Sequence, residues 1–196
     1  MEVKWFDFDR IIKGDVLYLE DDASLSSNSF NGCDDDITWA EWENYTIRKI
    51  VVGKEVTEFP VEMIAEQRRN KPNSFYEVEI DDHNPCFTYH DGGIYDKGMY
   101  HLIFFAGKAE DALTIPEGVL KIGDFAFENY SNLRSVEFPR SLTEIGSCAF
   151  SKCRSLLSVT IPDSDIQIED DAFEGIPQVI FKGNACDEGR KSAQPI

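Results

Sequence analysis

The chain has 196 residues, 42% of them hydrophobic and 12% aromatic, enough for one sizeable domain or two small ones with a real core. Its 37 acidic and 19 basic residues give a net charge of -18, and such a surface repels nucleic-acid phosphates and anionic lipid. No run of about 18 apolar residues is present, which argues against a membrane-spanning helix. Because of the charge and this absence, nucleic-acid binding and membrane insertion are both set aside.

The first element expected is an N-terminal cap. VKWFDFDRIIKGDVLYLE, residues 3–20, alternates well enough for two strands, and the Ser-, Asp- and Asn-rich residues 21–36 are typical of a loop. The start MEVKWFDFDR lacks the basic residues and apolar stretch of a signal peptide. This allows a cytoplasmic location, unless an export signal precedes Met1 in the native protein.

The middle of the chain predicts strands, a loop and a hairpin. IRKIVVGKEVTEFP, residues 47–60, and FYEVEID, residues 75–81, each have the apolar spacing of a short strand. QRRNKPN, residues 67–73, is polar and predicts an insertion loop. GGIYDKGMYHLIFFAGK, residues 92–108, predicts a β-hairpin because apolar strands flank the turn-forming DKG.

The C-terminal half repeats one phrase three times at an interval of 23 residues. IGDFAF begins at Ile122, IGSCAF at Ile145 and IEDDAF at Ile168, each after an apolar-x-apolar-Pro segment. One such unit cannot bury its own apolar side, but stacked units share a continuous core. A fixed period in the twenties therefore predicts a solenoid of stacked coils.

Within a coil, the strand and the ring positions follow from the pattern. LRSVEFP, residues 133–139, has near period-two alternation, which directs its apolar side chains into the core and Ser135 and Glu137 outward. The Ala-Phe pairs of successive coils predict a column of stacked phenyl rings. The rings of this column are those of Phe127, Phe150 and Phe173.

The segment IPEGVLKIGDFAFENYSNLRSVEFPRSLTEIGSCAFSKCRSLLSVTIP resembles the BspA-like bacterial leucine-rich repeat proteins. WAEWENYTIRKIVVGKEVTEF, from Trp39, is similar to the first repeat of that family, and IFKGNACDEGRKSAQPI is similar to its closing cap. The resemblance implies a leucine-rich-repeat solenoid, α/β to mostly β. Its right-handed coils of about 23 residues would carry short parallel strands, terminal caps and a β-hairpin insertion.

The domain organisation expected from this resemblance is a single leucine-rich-repeat domain over residues 1–196. Residues 1–46 would form the N-terminal cap and loop, and residues 47–184 the repeats, including the hairpin 92–108. Residues 185–196 would form the C-terminal cap, for which the sequence predicts a short helix.

The resemblance also implies a function class. Members of the family are mostly bacterial cell-surface or secreted proteins, and several are linked to adhesion or host-protein binding. The expectation is therefore a non-catalytic module that binds a protein partner of unknown identity, without nucleic acid, membrane insertion or a cofactor. A carbohydrate-binding surface module is the alternative, and it would need exposed aromatic side chains on one face.

Stacked strands bring outward side chains into rows on one broad face, which is the candidate interaction face. On the register above, this face comprises Lys49, Val51, Glu77, Glu79, Ala112, Thr114, Ser135, Glu137, Ser158 and Thr160. A second candidate is the aromatic group of Trp39, Trp42 and Tyr45, since aromatics are enriched at binding hot spots. Packing of the first coil is the favoured role for these three.

A metal-dependent enzyme is the least favoured alternative. HNPCFTYH offers His83, Cys86 and His90 as ligands, with His101 as a fourth, but DDHNP also fits an Asn-Pro turn, which is preferred. The acidic runs at residues 20–22, 34–36 and 169–171 lack the spacing of a local calcium loop and are interpreted as solvated.

The five cysteines are odd in number and irregularly spaced, which argues against a disulfide framework. Cys148 and Cys153 lie inside the repeat, away from every histidine in the sequence, so packing is favoured over a nucleophilic role.

Overall fold

Short strands and tight turns wind the chain into a stack of coils. The computed structural model describes residues 12–21, 45–71, 74, 76–108, 111–162 and 165–181. In chain order its elements are β1 (Ile12–Lys13), β2 (Val16–Asp21), β3 (Lys49–Glu55), α1 (Val61–Asn70), β4 (Glu77–Ile80), β5 (Phe87–His90), β6 (Gly93–Asp96), β7 (His101–Phe105), β8 (Ala112–Thr114), β9 (Lys121–Ile122), β10 (Ser135–Glu137), β11 (Glu144–Ile145), β12 (Ser158–Ile161), β13 (Gln167–Ile168) and β14 (Gln178–Phe181).

The strands fall into a front and a back set. The front strands are β2, β3 and β4, which form one parallel sheet with β1 antiparallel at its edge, and the parallel pairs β8–β10 and β12–β14. The back strands form one six-stranded sheet in the order β13-β11-β9-β7-β6-β5. In the repeats, front and back strands alternate along the chain and enclose the core between them.

The 23-residue interval in the sequence is the pairing offset between neighbouring coils. Ile122 pairs with Ile145, and Ile145 with Ile168, on the back sheet. On the front, Val136 pairs with Leu113 at the same offset. Upstream the offset loosens, because Lys49 pairs with Glu77 and Val16 with Lys49. The regular coils therefore begin only after the hairpin.

The predicted column of phenyl rings is confirmed. Phe127 and Phe150 stack with centroids 4.8 Å apart, and Phe150 and Phe173 at 5.4 Å. Phe127 and Phe150 are fully buried, and Phe173 is half-buried. Phe105, from the hairpin, extends the column with its ring 5.1 Å from Phe127. The sequence did not predict this fourth ring.

The hairpin of residues 92–108 is also confirmed, and it belongs to a larger meander. β6 pairs antiparallel with β7 across the DKG turn, and β5 adds a third antiparallel strand to the other side of β6. β7 then pairs in parallel with β9, with Leu102 opposite Ile122. The hairpin thus joins the back sheet and carries it into the first regular coil.

The predicted insertion loop at residues 67–73 is wrong for its first part, because α1 runs to Asn70. Gln67 is buried, and Arg68 is fully buried. The Arg68 guanidinium donates to the carbonyl oxygens of Phe105 and Ala126 and lies over the rings of Phe104 and Tyr130. Gln67 and Arg68 therefore belong to a buried contact and not to a solvated loop, while residues 72 and 73 lie outside the described residues.

Several expectations fall outside the described residues. These are most of the predicted N-terminal cap, the loop of residues 22–36, Trp39 and Trp42, and the closing cap at residues 185–196.

Candidate interaction site

The N-terminal part of the candidate face comes from β3 and β4. Lys49 pairs with Glu77 and Val51 with Glu79 across the parallel ladder. The Lys49 ammonium lies 2.8 Å from a carboxylate oxygen of Glu79 and 3.7 Å from one of Glu77. These contacts, the Glu79 hydrogen bond first, raise the pKa of Lys49. We call these four residues the charged patch.

The C-terminal part comes from β8, β10 and β12. Ala112 pairs with Ser135, and Thr114 with Glu137, and all four side chains are exposed. On β12, Ser158 is exposed and Thr160 half-buried. These six residues form what we call the small-residue patch, a surface of mostly short side chains that another molecule can approach closely.

The structure places all ten residues on the outward side of front strands, but in two patches. Among the described strands no ladder joins β4 to β8, so the charged patch and the small-residue patch lie on separate sheets. The small-residue patch itself spans two neighbouring strand pairs, because β12 pairs with β14 and not with β10. The hairpin meander between these strands pairs with the back sheet instead. The candidate face is therefore interrupted where the meander enters.

Sequence reasoning missed residues that extend each patch. Tyr18 on β2 pairs with Val51, so it continues the charged patch toward the N-terminus. Ile180 on β14 pairs with Thr160 and is 40% exposed, so it continues the small-residue patch. The alternation in VLYLE and QVIF was the available signal.

The second candidate, the aromatic group, is described only at Tyr45. Tyr45 is half-buried and packs against the core cluster that contains Ile50 and Val52. That placement agrees with the packing role favoured for it.

The structure forms the Asn-Pro turn where the sequence offered a metal site. Asn84 is buried, and its amide nitrogen donates to the carbonyl oxygens of Gly53 and Val56. Its amide oxygen accepts from the backbone N–H groups of Cys86 and Phe87. These four bonds fix the entry into β5 through protein groups alone.

The three histidines of the metal hypothesis contact different groups. His83 is exposed and bonds Asp81, and His90 is exposed beside Asp91. His101 lies on β7, half-buried, where burial lowers its pKa. In the described part of the chain, no three His, Cys, Asp or Glu side chains converge as metal ligands would.

Of the acidic runs, residues 22 and 34–36 lie outside the described residues, and Asp171 has a defined structural role. Its carboxylate accepts hydrogen bonds from the Ser147 hydroxyl and from the backbone N–H of Cys148 in the preceding coil. Burial alone would raise the pKa of Asp171, but these bonds together outweigh it and lower the pKa. The carboxylate thus ties two coils together.

The repeat cysteines are packed as small side chains. Cys153 is buried and its thiol donates to the carbonyl oxygen of Phe127 at 3.1 Å. Burial raises the pKa of Cys153 to about 12 and also raises the pKa of Cys148. Both shifts disfavour the thiolate that a nucleophile needs.

A pocket of about 420 Å³ opens on the other side of the coils, over the outward face of the back sheet. One wall is the turn and first helical turn at residues 58–63, and the other is formed by β7, β9 and the turn after β9. Its apolar lining includes Phe59, Val61, Ile103 and Phe125. No sequence pattern indicated this pocket, because its walls come from three separate segments.

Residues 103–184 match the model of the BspA type leucine rich repeat region, with six copies of the repeat. This region begins within β7 and contains every regular coil described above. No curated protein matches the chain.

Solved structures with the same fold include two bacterial leucine-rich repeat proteins. A leucine-rich repeat protein from Eubacterium ventriosum superposes with a TM-score of 0.55 at 19% identity, over 71% of this chain and 38% of its own length. A leucine rich cell surface protein from Faecalibacterium prausnitzii superposes with a TM-score of 0.51 at 24% identity, over 71% of this chain and 49% of its own. The chain therefore spans less than half of either protein, and the likeness shows the leucine-rich-repeat fold. The described residues include no helix long and apolar enough to cross a membrane.

Proposed function

We propose that the chain, whose residues 103–184 match the model of the BspA type leucine rich repeat region, is a non-catalytic module that binds a protein partner. The front strands carry the partner site. The charged patch and the small-residue patch are its two halves.

The observation that supports this proposal is the register of the small-residue patch. Three front strands present short side chains in ordered rows, and Ser135 lies directly opposite Ala112. Such rows leave backbone and short polar groups open to a partner, and they cost little side-chain entropy when they are covered. The ring column and the parallel ladders hold the rows rigid, which lowers the cost of binding further.

The charged patch contributes orientation. Lys49 sits between two carboxylates on a surface that is otherwise strongly acidic, and charged groups at an interface favour the correct partner and the correct docking angle. We infer a partner whose contact surface carries basic side chains at this end.

A more specific proposal concerns where the module acts and what kind of protein it binds. Resemblance to BspA-like proteins favours adhesion at the bacterial cell surface or binding of a host protein, and one protein of the same fold is named a cell surface protein. The partner is then a surface or matrix protein, and no catalytic step is involved.

Site-specific photo-crosslinking tests the front-face assignment. A photoreactive phenylalanine analogue is placed at Ser135 or at Ser158 on the front, and at Glu169 after β13 as the matched control. Each purified variant is irradiated with bacterial lysate or host matrix extract. We expect one protein adduct that forms from both front positions and not from Glu169.

Substitutions then test whether the crosslinked protein binds at the front face. Ser135→Arg should weaken its binding about ten-fold or more by blocking the rows, while Glu169→Arg should leave it within about two-fold. Adducts that form equally from front and back, or none from the front, would refute the assignment.

A further inference from the structure

The back-sheet pocket has an apolar floor that no part of the described chain covers. Phe59, Val61, Ile103 and Phe125 are each half-buried, and all line this one opening. Its volume of about 420 Å³ lies within the range of pockets that bind small ligands or single side chains. A contiguous apolar concavity of this kind is a candidate binding surface.

The polar groups around the floor favour a cation. Glu58, Glu62 and Asp124 line the pocket, and all three are exposed. Lys121 is the basic residue of the lining, and its ammonium is paired with the Glu144 carboxylate at 2.6 Å, which partly offsets its charge. His101 also lines the pocket, and burial followed by the charge of Lys121 lowers its pKa, so the imidazole is neutral at pH 7.

The positive N-terminus of α1 only partly opposes the preference of the pocket for a cation. α1 begins at the pocket with Pro60 as its N-cap, and its first turn carries a partial positive charge. Glu62 lies in that same turn and compensates it. The carboxylates of Glu58 and Asp124 then set the sign of the field in the opening.

The chain itself shows how an arginine fits next to this pocket. The Arg69 guanidinium lies over the Phe125 ring, 4.9 Å from its centroid, and bonds Glu66 at 2.7 Å. Glu62 stands one helical turn before Glu66, on the same side of α1. The lining of the pocket thus includes the same ring together with the preceding carboxylate of the helix.

We propose that this pocket binds an arginine side chain of a protein partner. The aliphatic stem packs on Ile103 and Phe59, as long basic side chains do on apolar surface, and the guanidinium meets Glu62 and Asp124. This second site lies on the opposite side of the coils from the front face, so it does not depend on the function proposed above.

Titration with capped tripeptides tests the proposal. The probe is acetyl-Gly-Arg-Gly-amide, and the matched probe replaces arginine by citrulline, which has the same shape without the charge. Amide chemical shifts of the isotope-labelled protein report binding. We expect saturable shifts at residues 59–63 and 121–125 with the arginine peptide, and at least about five-fold weaker binding of the citrulline peptide.

Charge-neutral variants locate the contact. Glu62→Gln and Asp124→Asn should each weaken arginine binding about two- to five-fold. The amide oxygen introduced by Asp124→Asn can still accept the hydrogen bond that the Ser147 backbone N–H donates to the native carboxylate. Glu117→Gln, at an exposed position before β9 that belongs to neither patch, removes the same charge elsewhere and should change nothing.

Three results would overturn the proposal. One is equal binding of the two peptides. Another is an equal loss in Glu117→Gln, which would indicate attraction to the net charge alone. The third is shifts outside the pocket with none inside it.

Discussion

Phe150 lies in the middle of the ring column and is in contact with a ring from each neighbouring coil. Phe173 occupies the same position one coil later but is half-buried. Phe150→Ala should therefore destabilise the fold by about 3–5 kcal/mol, and Phe173→Ala by clearly less, because the cost follows the buried area and the cavity left. Urea unfolding followed by circular dichroism measures both. Equal losses would contradict the unequal burial of the two rings.

Cys153 links burial to the pH dependence of stability. Its folded pKa of about 12 lies above the reference value of 9.0, so the thiol stays protonated in the fold after the unfolded chain has ionised. The contribution of the protonated Cys153 thiol to the free energy of unfolding is complete below pH 9 and is lost as pH rises toward 12. Between pH 9 and 10 the unfolding free energy should fall by about 1 kcal/mol more in wild type than in Cys153→Ala, and the tyrosines, which both proteins share, cancel from this difference.

A reactivity measurement checks the same group independently. At pH 8 the thiolate fraction of Cys153 should be roughly a thousand-fold below that of an unfolded cysteine, so alkylation should be slow by a similar factor. Peptide mass spectrometry after timed alkylation reads Cys153 separately from the other cysteines. Rapid labelling of the native protein would show that the thiol is not buried as described.

Arg68 is a buried cation held by carbonyl oxygens and ring faces. Its side chain donates to the carbonyls of Phe105, Ala126 and Glu128, which belong to two successive turns of the coil. In later coils backbone N–H groups supply equivalent bonds, as when Lys152 donates to Glu174. At the Glu128 carbonyl the guanidinium therefore takes the place of a backbone donor, whereas Ala126 already accepts from the backbone N–H of Phe105.

Lysine cannot supply these donors in one plane. Arg68→Lys should cost about 2–4 kcal/mol, since at least one buried carbonyl loses its partner and a desolvated ammonium remains. Arg134→Lys, at an exposed site that pairs with Asp111, is the control and should cost about 0.5 kcal/mol or less. Thermal unfolding distinguishes them, and a mild effect of Arg68→Lys would assign Arg68 to packing alone.

At the scale of elements, the repeated phrase made most of the fold predictable. Each coil contains the same alternation, the same proline and the same Ala-Phe pair, so the strands, their register and the ring column followed from local pattern. α1 was missed although Pro60 and good helix formers precede residue 67. The burial of Arg68 depends on carbonyls 37 to 60 residues away, and local polarity cannot show such contacts.

The sequence predicted which side chains of the candidate face point outward, but it did not predict that the face is interrupted. Period-two alternation placed Ser135 and Glu137 outward, and the structure agrees. The break between β4 and β8 arises because β7 pairs with β9 on the back sheet, which the sequence of the hairpin alone does not specify. The sequence did not predict the pocket for the same reason, because the pocket forms only where α1 meets the back sheet.

The turn after each back strand constrains residue size through the neighbouring coil. Gly146 has an ordinary φ, but a Cβ there would lie 2.8 Å from the backbone nitrogen of Asp124. Gly146→Ala should therefore destabilise by about 1–3 kcal/mol through overpacking. Glu169 holds the same position in the next coil and already carries a Cβ. Glu169→Ala is the control, expected within about 0.5 kcal/mol by urea unfolding, and equal effects would refute the steric argument.

Across the whole molecule, the regular coils behave as interchangeable layers. Each one contacts chiefly its neighbours, and the pairing offset from Ile122 to Ile145 equals that from Ile145 to Ile168. In such an architecture stability is close to a sum over coils and their interfaces. Removing one whole coil should therefore leave a shorter solenoid with its register intact.

Deletion of residues 136–158 tests this directly. The deletion removes 23 residues and joins Ser135 to Val159, which hold successive positions of the strand pattern, so Phe127 would stack on Phe173. We expect a folded protein with the same type of circular dichroism spectrum and cooperative unfolding, at a cost of several kcal/mol, since the lost coil contains the fully buried Phe150 and its two interfaces. Deletion of residues 136–155 removes a similar length but breaks the register, so it should unfold or aggregate. If both deletions lose structure equally, the coils are not independent layers and the front strands cannot be treated as a modular binding surface.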